Sequence, residues 1–306
     1  MDNRLYTKAG YVAILGKPNV GKSTLLNSLL GQKLSITTSK PQTTRKRILG
    51  ILTEENYQII FLDTPGILNP AYLLQKKMMQ AVELSLSDAD IVVLIIDVSA
   101  DPGAEATLKE DFIYESVVKS KKPKLAVLNK VDLLKQEKVQ AIVDKIESSG
   151  IFKKVIPVSA SLNFNIRAVL DTILELLPPG PKFYPDDIVA DENERFFVSE
   201  IIREKIFELF KEEIPYSCEV LIADFKEKDD KKNFIQAEIV VEKDSQKGII
   251  IGKQGAAIKK LGQVARQAVE EFLQHEVFLE LRVKVRHKWR SDENMLKAFG
   301  YSRDND

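Results

Sequence analysis

GKPNVGKS, residues 16–23, stands directly after an apolar run, GYVAIL at residues 10–15, and directly before TLLNSLL at residues 24–30. The order strand, glycine-rich turn, helix decides the fold of the first half. The string matches G-x-x-x-x-G-K-[ST]. Gly16 and Gly21 keep side chains out of the way of a phosphate cradled by the loop, and Lys17, Pro18, Asn19 and Val20 span the arc between them. The helix opening at Thr24 turns its positive end toward the same anion. Lys22 is expected to reach the β and γ phosphates, and the Ser23 hydroxyl to ligate Mg2+. The bland alternative is a glycine turn that merely opens a helix; the position between strand and helix favours the anion site.

Outward from this loop, further apolar runs recur: YQIIFL at 57–62, IVVLII at 91–96, KLAVL at 124–128 and VIPV at 155–158. Runs of this length suit strands buried on both faces of a parallel sheet. Amphipathic stretches at 73–86 and 138–149 alternate with them, and a helix is expected near 165–177. The pattern predicts a doubly wound, mostly parallel α/β domain over residues 1–178. PPGP at 178–181 cannot continue a helix or a sheet interior, so a linker is expected over 179–191. Beyond it, a helix near 193–212 and strands at 219–225 and 234–241 are followed by a basic loop, a helix at 256–273 and an alternating run at 277–286 that reads as an antiparallel strand. An α+β domain in the order α-β-β-α-α-β is expected over residues 192–306.

Three more short strings end strands of the first half. DTPG places Asp63, Thr64, Pro65 and Gly66 after the second buried strand. The Asp63 carboxylate can hold magnesium, usually through water, and the Gly66 amide can meet a γ phosphate. Such an element moves when the phosphate leaves. NKVD places Asp132 to accept from guanine N1 and N2; adenine has no N2 donor, so the carboxylate selects against ATP. Asn129 can approach the base edge and the Lys130 stem can lie over the ring. SAS places Ser159 and the Ala160 amide, which can donate to guanine O6. Each string alone is common; all of them in order at strand ends, where ligands of open sheets bind, point to GTP/GDP.

With these four motifs in place, the first half resembles the TRAFAC class of GTPases and is similar to its Era-like branch. The resemblance implies a threonine between the phosphate loop and DTPG that completes the magnesium shell. PQTTRKR at 41–47 stands there, with Thr44 the expected ligand and Thr43 the alternative. Catalysis then falls to Lys22, Thr44, Gly66 and Asn19, the last resembling an asparagine with which some related GTPases hold K+; a purely loop-shaping Asn19 is the alternative. Ile67 follows Gly66 where Ras-like enzymes carry a glutamine, so slow intrinsic turnover is expected.

GIIIGKQGAAIKKL, residues 248–261, joins an apolar segment to a basic helix through G-x-x-G. Gly252 and Gly255 allow close approach to a sugar-phosphate backbone, with Lys253 and Gln254 between them. Lys253, Lys259 and Lys260 can neutralise phosphates, and Ile249, Ile250 and Ile258 can wall a groove for bases. Arg286 ends an alternating basic run with Arg282 and Lys284; a solvated sheet edge is the bland alternative. This half resembles a type II KH domain, which binds single-stranded RNA, and its VKVRHKW tail resembles that of Era proteins.

Lysine plus arginine equals aspartate plus glutamate, 45 each, so any nucleic-acid surface must be local; acidic runs at 186–194 and 227–230 oppose it. Cys218, the single cysteine, excludes an internal disulfide and reads as a small buried hydrophobe. No secretory leader is expected in MDNRLYTKAGYVAILG, and no apolar run approaches the ~20 residues of a membrane span. The nearest resemblance is to the Era family, which implies binding of the 3′ region of 16S rRNA, a role at the 30S subunit, and peripheral contact with the inner face of the cell membrane. A cytoplasmic monomer is expected. The rival reading is a signalling or membrane-trafficking GTPase whose second domain binds protein or lipid.

Overall fold

The computed structural model describes residues 7–227 and 231–301. Residues 1–6, read above for a leader, and most of the acidic run at 227–230 lie outside the described residues. The chain separates into two compact units, one of Met1–Asn69 with Met78–Asp191 and one of Pro70–Lys77 with Glu192–Asp306.

The first unit is built on a six-stranded sheet in the order β2-β3-β1-β4-β5-β6. Its strands are β1 (Lys8–Leu15), β2 (Ile48–Glu54), β3 (Tyr57–Asp63), β4 (Ile91–Asp97), β5 (Lys124–Asn129) and β6 (Lys154–Pro157). All neighbours pair in parallel except β2 and β3. Strand alternation divides β4 between two cores: Ile91, Val93 and Ile95 join α1 (Lys22–Leu30) on one face, while Val92, Leu94 and Ile96 join α2 (Leu73–Asp88) on the other. Two short turns, α3 (Glu105–Leu108) and α4 (Asp111–Ile113), and the longer α5 (Gln136–Glu147) cover the α2 face; α6 (Ile166–Leu176) covers the α1 face. This is the expected doubly wound arrangement. It also contains β2, which the run of apolar strings did not reveal.

The second unit opens with α7 (Glu194–Leu209) and a turn, α8 (Ile214–Ser217). Strands β7 (Glu219–Lys226) and β8 (Asn233–Val241) form a hairpin, and α9 (Asp244–Ile251) and α10 (Ala256–Leu273) lead to β9 (Val277–Val285). The expectation for β9 is corrected here: it pairs parallel to β8, Asn233 opposite Val277 through Val241 opposite Val285. Alternation reports that one face is buried and says nothing of direction; the helical crossover between β8 and β9 supplies the parallel connection. Ile202 and Ile206 of α7 meet Leu261, Ala265 and Val269 of α10 over Ile235, Ala237 and Ile239 of β8. A last helix, α11 (Glu293–Ala298), follows Trp289, whose fully buried ring donates from Nε1 to the Ser217 carbonyl at 2.9 Å. Cys218 is buried in the same core.

Residues 179–191, expected as a linker, are strapped to the first unit. Gln58, fully buried on β3, accepts from the amides of Phe183 and Tyr184 at 2.7 and 2.9 Å and donates to the Tyr184 carbonyl at 2.9 Å. The amide of Ile51 on edge strand β2 donates to the Val189 carbonyl at 2.9 Å. Tyr184 and Ile188 pack on Leu49, Ile51, Ile60 and Leu62. Gln58→Ala strands these backbone groups and is expected to cost about 1–3 kcal/mol. A denaturant midpoint measures the loss, and faster proteolysis between residues 182 and 190 locates it; an unchanged midpoint would show that apolar packing and the Ile51–Val189 backbone bond hold the strap without Gln58.

Candidate functional site

The loops at the carboxyl ends of β1, β3, β5 and β6 converge on one end of the sheet. Glycine is required at two points of the phosphate loop. A Cβ on Gly16 (φ 156°) would lie 2.6 Å from the Ile95 carbonyl oxygen, and one on Gly21 (φ 101°) 2.2 Å from Asn129 Nδ2. Lys22 is almost fully buried, and its ammonium donates to the carbonyls of Gly16 at 3.2 Å and Lys17 at 2.9 Å. Burial lowers its pKa from 10.5 to about 8, against the pull of Asp63.

The Ser23 hydroxyl lies 2.8 Å from Asp63 Oδ2 and 2.9 Å from Thr44 Oγ1. Thr43 points elsewhere, donating to the Lys40 carbonyl at 2.8 Å and meeting Thr38 Oγ1 at 2.7 Å. Two hydroxyls and one buried carboxylate thus share a point, and Asp63 Oδ1 has no hydrogen-bond partner. An all-oxygen donor set of two hydroxyls and the Asp63 carboxylate fits a hard divalent cation whose shell is completed by phosphate and water. Among the described residues no cluster of three His, Cys, Asp or Glu could hold a metal unaided. Burial pushes the Asp63 carboxyl up, and Ser23 and Lys22 oppose the shift.

A cavity of about 280 Å³ lies over this triangle, lined by Pro18, Asn19, Lys22, Ser23, Gly66, Lys130 and the 36–44 segment. Val20 is buried in the core below it, and Thr24 opens on the cavity. Asn19 Nδ2 donates to the Ser39 carbonyl at 2.8 Å. A Cβ on Gly66 would lie 2.7 Å from Pro18 Cα, so DTPG touches the phosphate loop at bare backbone. The Thr64 hydroxyl donates to the Ile14 carbonyl at 2.8 Å, and Pro65 is buried beside it. Ile67 is 2% exposed and points into the core, so it orients nothing in the cavity.

At the base end, Asn129 Nδ2 donates to the Val20 carbonyl at 2.8 Å and its Oδ1 accepts from the Ala160 amide at 3.0 Å. The Ala160 amide is therefore engaged in this structure, and Asn129 is a brace between loops. Lys130 pairs with Asp97 at 2.6 Å and donates to the Asn19 carbonyl at 3.0 Å, which lays its stem across the cavity rim. Asp97, at the end of β4, carried no motif. Asp132 is exposed, and Ser159 is buried with its hydroxyl 3.4 Å from that of Ser161.

In the second unit, residues 252–255 turn sharply between α9 and α10. Gly252 (φ 73°), Gln254 (φ 50°) and Gly255 (φ 78°) are all left-handed. A Cβ on Gly252 would meet Ala257 Cβ at 2.6 Å. Lys253, Gln254 and Lys259 are exposed and Ile258 half-buried, around the free amide end of α10. Ile250 is sealed in the core at 0% exposure, which corrects its place in the base-binding groove; its neighbour Ile249, 49% exposed, is the isoleucine that faces outward. Arg282 and Lys284 are engaged by Glu280 and Glu238, whereas Arg286 is exposed.

Residues 11–130 match the model of the 50S ribosome-binding GTPase family, and residues 213–290 that of the KH domain. The chloroplastic GTPase ERA1 of Zea mays is 47% identical over 96% of this chain and 70% of its own length. The GTPase Era of Caldanaerobacter subterraneus subsp. tengcongensis is 44% identical over 97% of this chain and 99% of its own. Among solved structures, Era bound to MgGDPNP and nucleotides 1506–1542 of 16S ribosomal RNA superposes with a TM-score of 0.92 at 39% identity, covering 97% of this chain and all of that one. Aquifex aeolicus Era bound to GDP.AlF4− gives the same score. With relatives of matching length 44% identical along nearly the whole chain, and with a phosphate loop followed by a GKQG turn in its own sequence, the chain belongs to the Era family of GTPases.

Proposed function

We propose that this protein is a GTP-hydrolysing switch that binds the 3′ region of 16S rRNA and acts in assembly of the 30S subunit. The observation that carries the reading is the end-to-end likeness to Era held with MgGDPNP and 16S rRNA, in a chain whose own cavity and GKQG turn suit those two ligands. Ser23, Thr44 and Asp63 would hold Mg2+, which supplies charge neutralisation on the β and γ oxygens. Lys22 adds a second positive charge there, and the Gly66 amide meets the terminal phosphate. Asp132 reads guanine from the exposed rim, with Lys130 lying over the ring. Asn19 with the Ser39 carbonyl supports a K+ position, because an amide side chain already joins the phosphate loop to the 36–44 segment. Single-stranded RNA is clamped at residues 252–255, with Lys253, Lys259 and Arg286 on its phosphates. GTP is expected to order residues 41–47 and 63–74 and so to set RNA affinity. The protein acts as a cytoplasmic monomer with peripheral contact at the inner face of the cell membrane.

RNA binding tests this reading directly. The 3′-terminal segment of 16S rRNA should bind with a nucleotide-dependent affinity, and Lys253→Glu with Gln254→Glu should weaken it by at least about tenfold while leaving GTP binding intact. Binding of anionic vesicles with no RNA binding in either nucleotide state would move the partner to the membrane surface.

Lys22 makes binding pH-dependent. Its folded pKa of about 8 lies below the unfolded 10.5, so the unfolded chain holds more protons between those values and this group adds stability to the free protein as pH rises across that window. A triphosphate beside Lys22 restores its proton. Nucleotide binding at about pH 9 should therefore take up close to one proton, with affinity falling by up to about tenfold per pH unit. Calorimetry in buffers of different ionisation enthalpy reads the uptake, and none at that pH would show that Lys22 already holds its proton in the free protein. Finally, hydrolysis in K+ should exceed that in Na+, and Asn19→Ala should erase the difference; equal wild-type rates would leave Asn19 a loop residue.

A further inference from the structure

Asn27 lies one helical turn after Ser23 on α1, so their side chains share a face. Its Oδ1 accepts from the amides of Leu34 and Ser35, each at 2.9 Å, and its Nδ2 donates to the Ser35 carbonyl at 2.8 Å. One side chain thereby fixes the backbone of Ser35, which is 1% exposed. Burial raises the Asp63 carboxyl, and the Ser35 hydroxyl is one of the groups that pull it back, so the two lie side by side. Neither Ser35 Oγ nor Asp63 Oδ1 has a partner at good hydrogen-bond geometry, although the hydroxyl stands close enough to favour the carboxylate. Leaving such a group unpaired in a protein interior is costly. A donor and an acceptor held next to each other at that cost need a reason.

We propose that Ser35 is a positioning residue for Asp63. Its hydroxyl, held by Asn27, bonds Asp63 Oδ1 in the nucleotide-bound protein, directly or through one water, and so keeps Oδ2 turned toward the shell formed by Ser23 and Thr44. Partners of this kind, one step removed from the metal, commonly change metal affinity by about 10–100-fold when lost. The proposal rests on the magnesium–nucleotide reading of the site.

The test is a Mg2+ titration of GTP-analogue binding to the full chain, repeated in EDTA. Ser35→Ala should need at least about tenfold more Mg2+ for half-maximal tight binding, with metal-free nucleotide affinity unchanged. Ser35→Cys keeps the volume but lacks the hydroxyl oxygen; it should behave alike and serves should the alanine variant fail to fold. A Mg2+ midpoint equal to wild type overturns the proposal. So does equal weakening with and without metal, which would make Ser35 a loop residue only. A wild type whose binding ignores Mg2+ would instead refute the underlying reading.

Discussion

One amide side chain holds the nucleotide end of the first unit together. Asn129, at the last position of β5 and almost wholly buried, bonds the Val20 carbonyl of the phosphate loop and the Ala160 amide after β6. Gly21 is obligatory because of it, since any side chain there would occupy the position of the Asn129 amide. Thr64 ties in the end of β3 through the Ile14 carbonyl. Four loops are thus in register through bonds among themselves, over a sheet whose central strand is buried on both faces. Preorganisation of this kind lets a phosphoryl-transfer site act by positioning rather than by covalent chemistry.

Lysines, two of them buried and one half-buried, show how differently one residue type is used at the two ends of that sheet. At the end away from the cavity, Lys124 donates to the carbonyls of Val117, Val118 and Ser120, and Lys122 to those of Leu86, Ser87 and Ala89. Each amine neutralises carbonyls left over where a helix stops, the favourable end for a cation. At the cavity end, Lys22 has two carbonyls only and a desolvated charge. The first pair closes its surroundings, while Lys22 retains an unmet need for an anion.

Sequence carried the architecture wherever a run of apolar residues had to be buried on both faces, as in β1, β4 and β5, or where glycine geometry was forced, as at Gly16, Gly21 and Gly252. It carried less where the decisive fact is a partner. The alternation in β9 gave its buried face but not its direction. NKVD marked Asn129 without showing that its bonds go to protein backbone. Ile250 reads like its neighbours in GIIIG, and only the packing of α9 separates the sealed isoleucine from the exposed Ile249. Asn27, Ser35 and Asp97 are common residues at unremarkable spacing, and their roles arise from a tertiary fit that no local pattern encodes.

The strap along β2 and β3 bears on how the first unit can be excised. A domain cut at the prolines after Leu177 would look correct in sequence, since the helical pattern ends there. It would strip the edge strand β2 of its contact with Val189 and bare the apolar patch under Tyr184 and Ile188. An uncovered edge beside exposed apolar surface is a template for intermolecular pairing. The self-sufficient fragment ends near Asp191, and the shorter piece should be the one that precipitates.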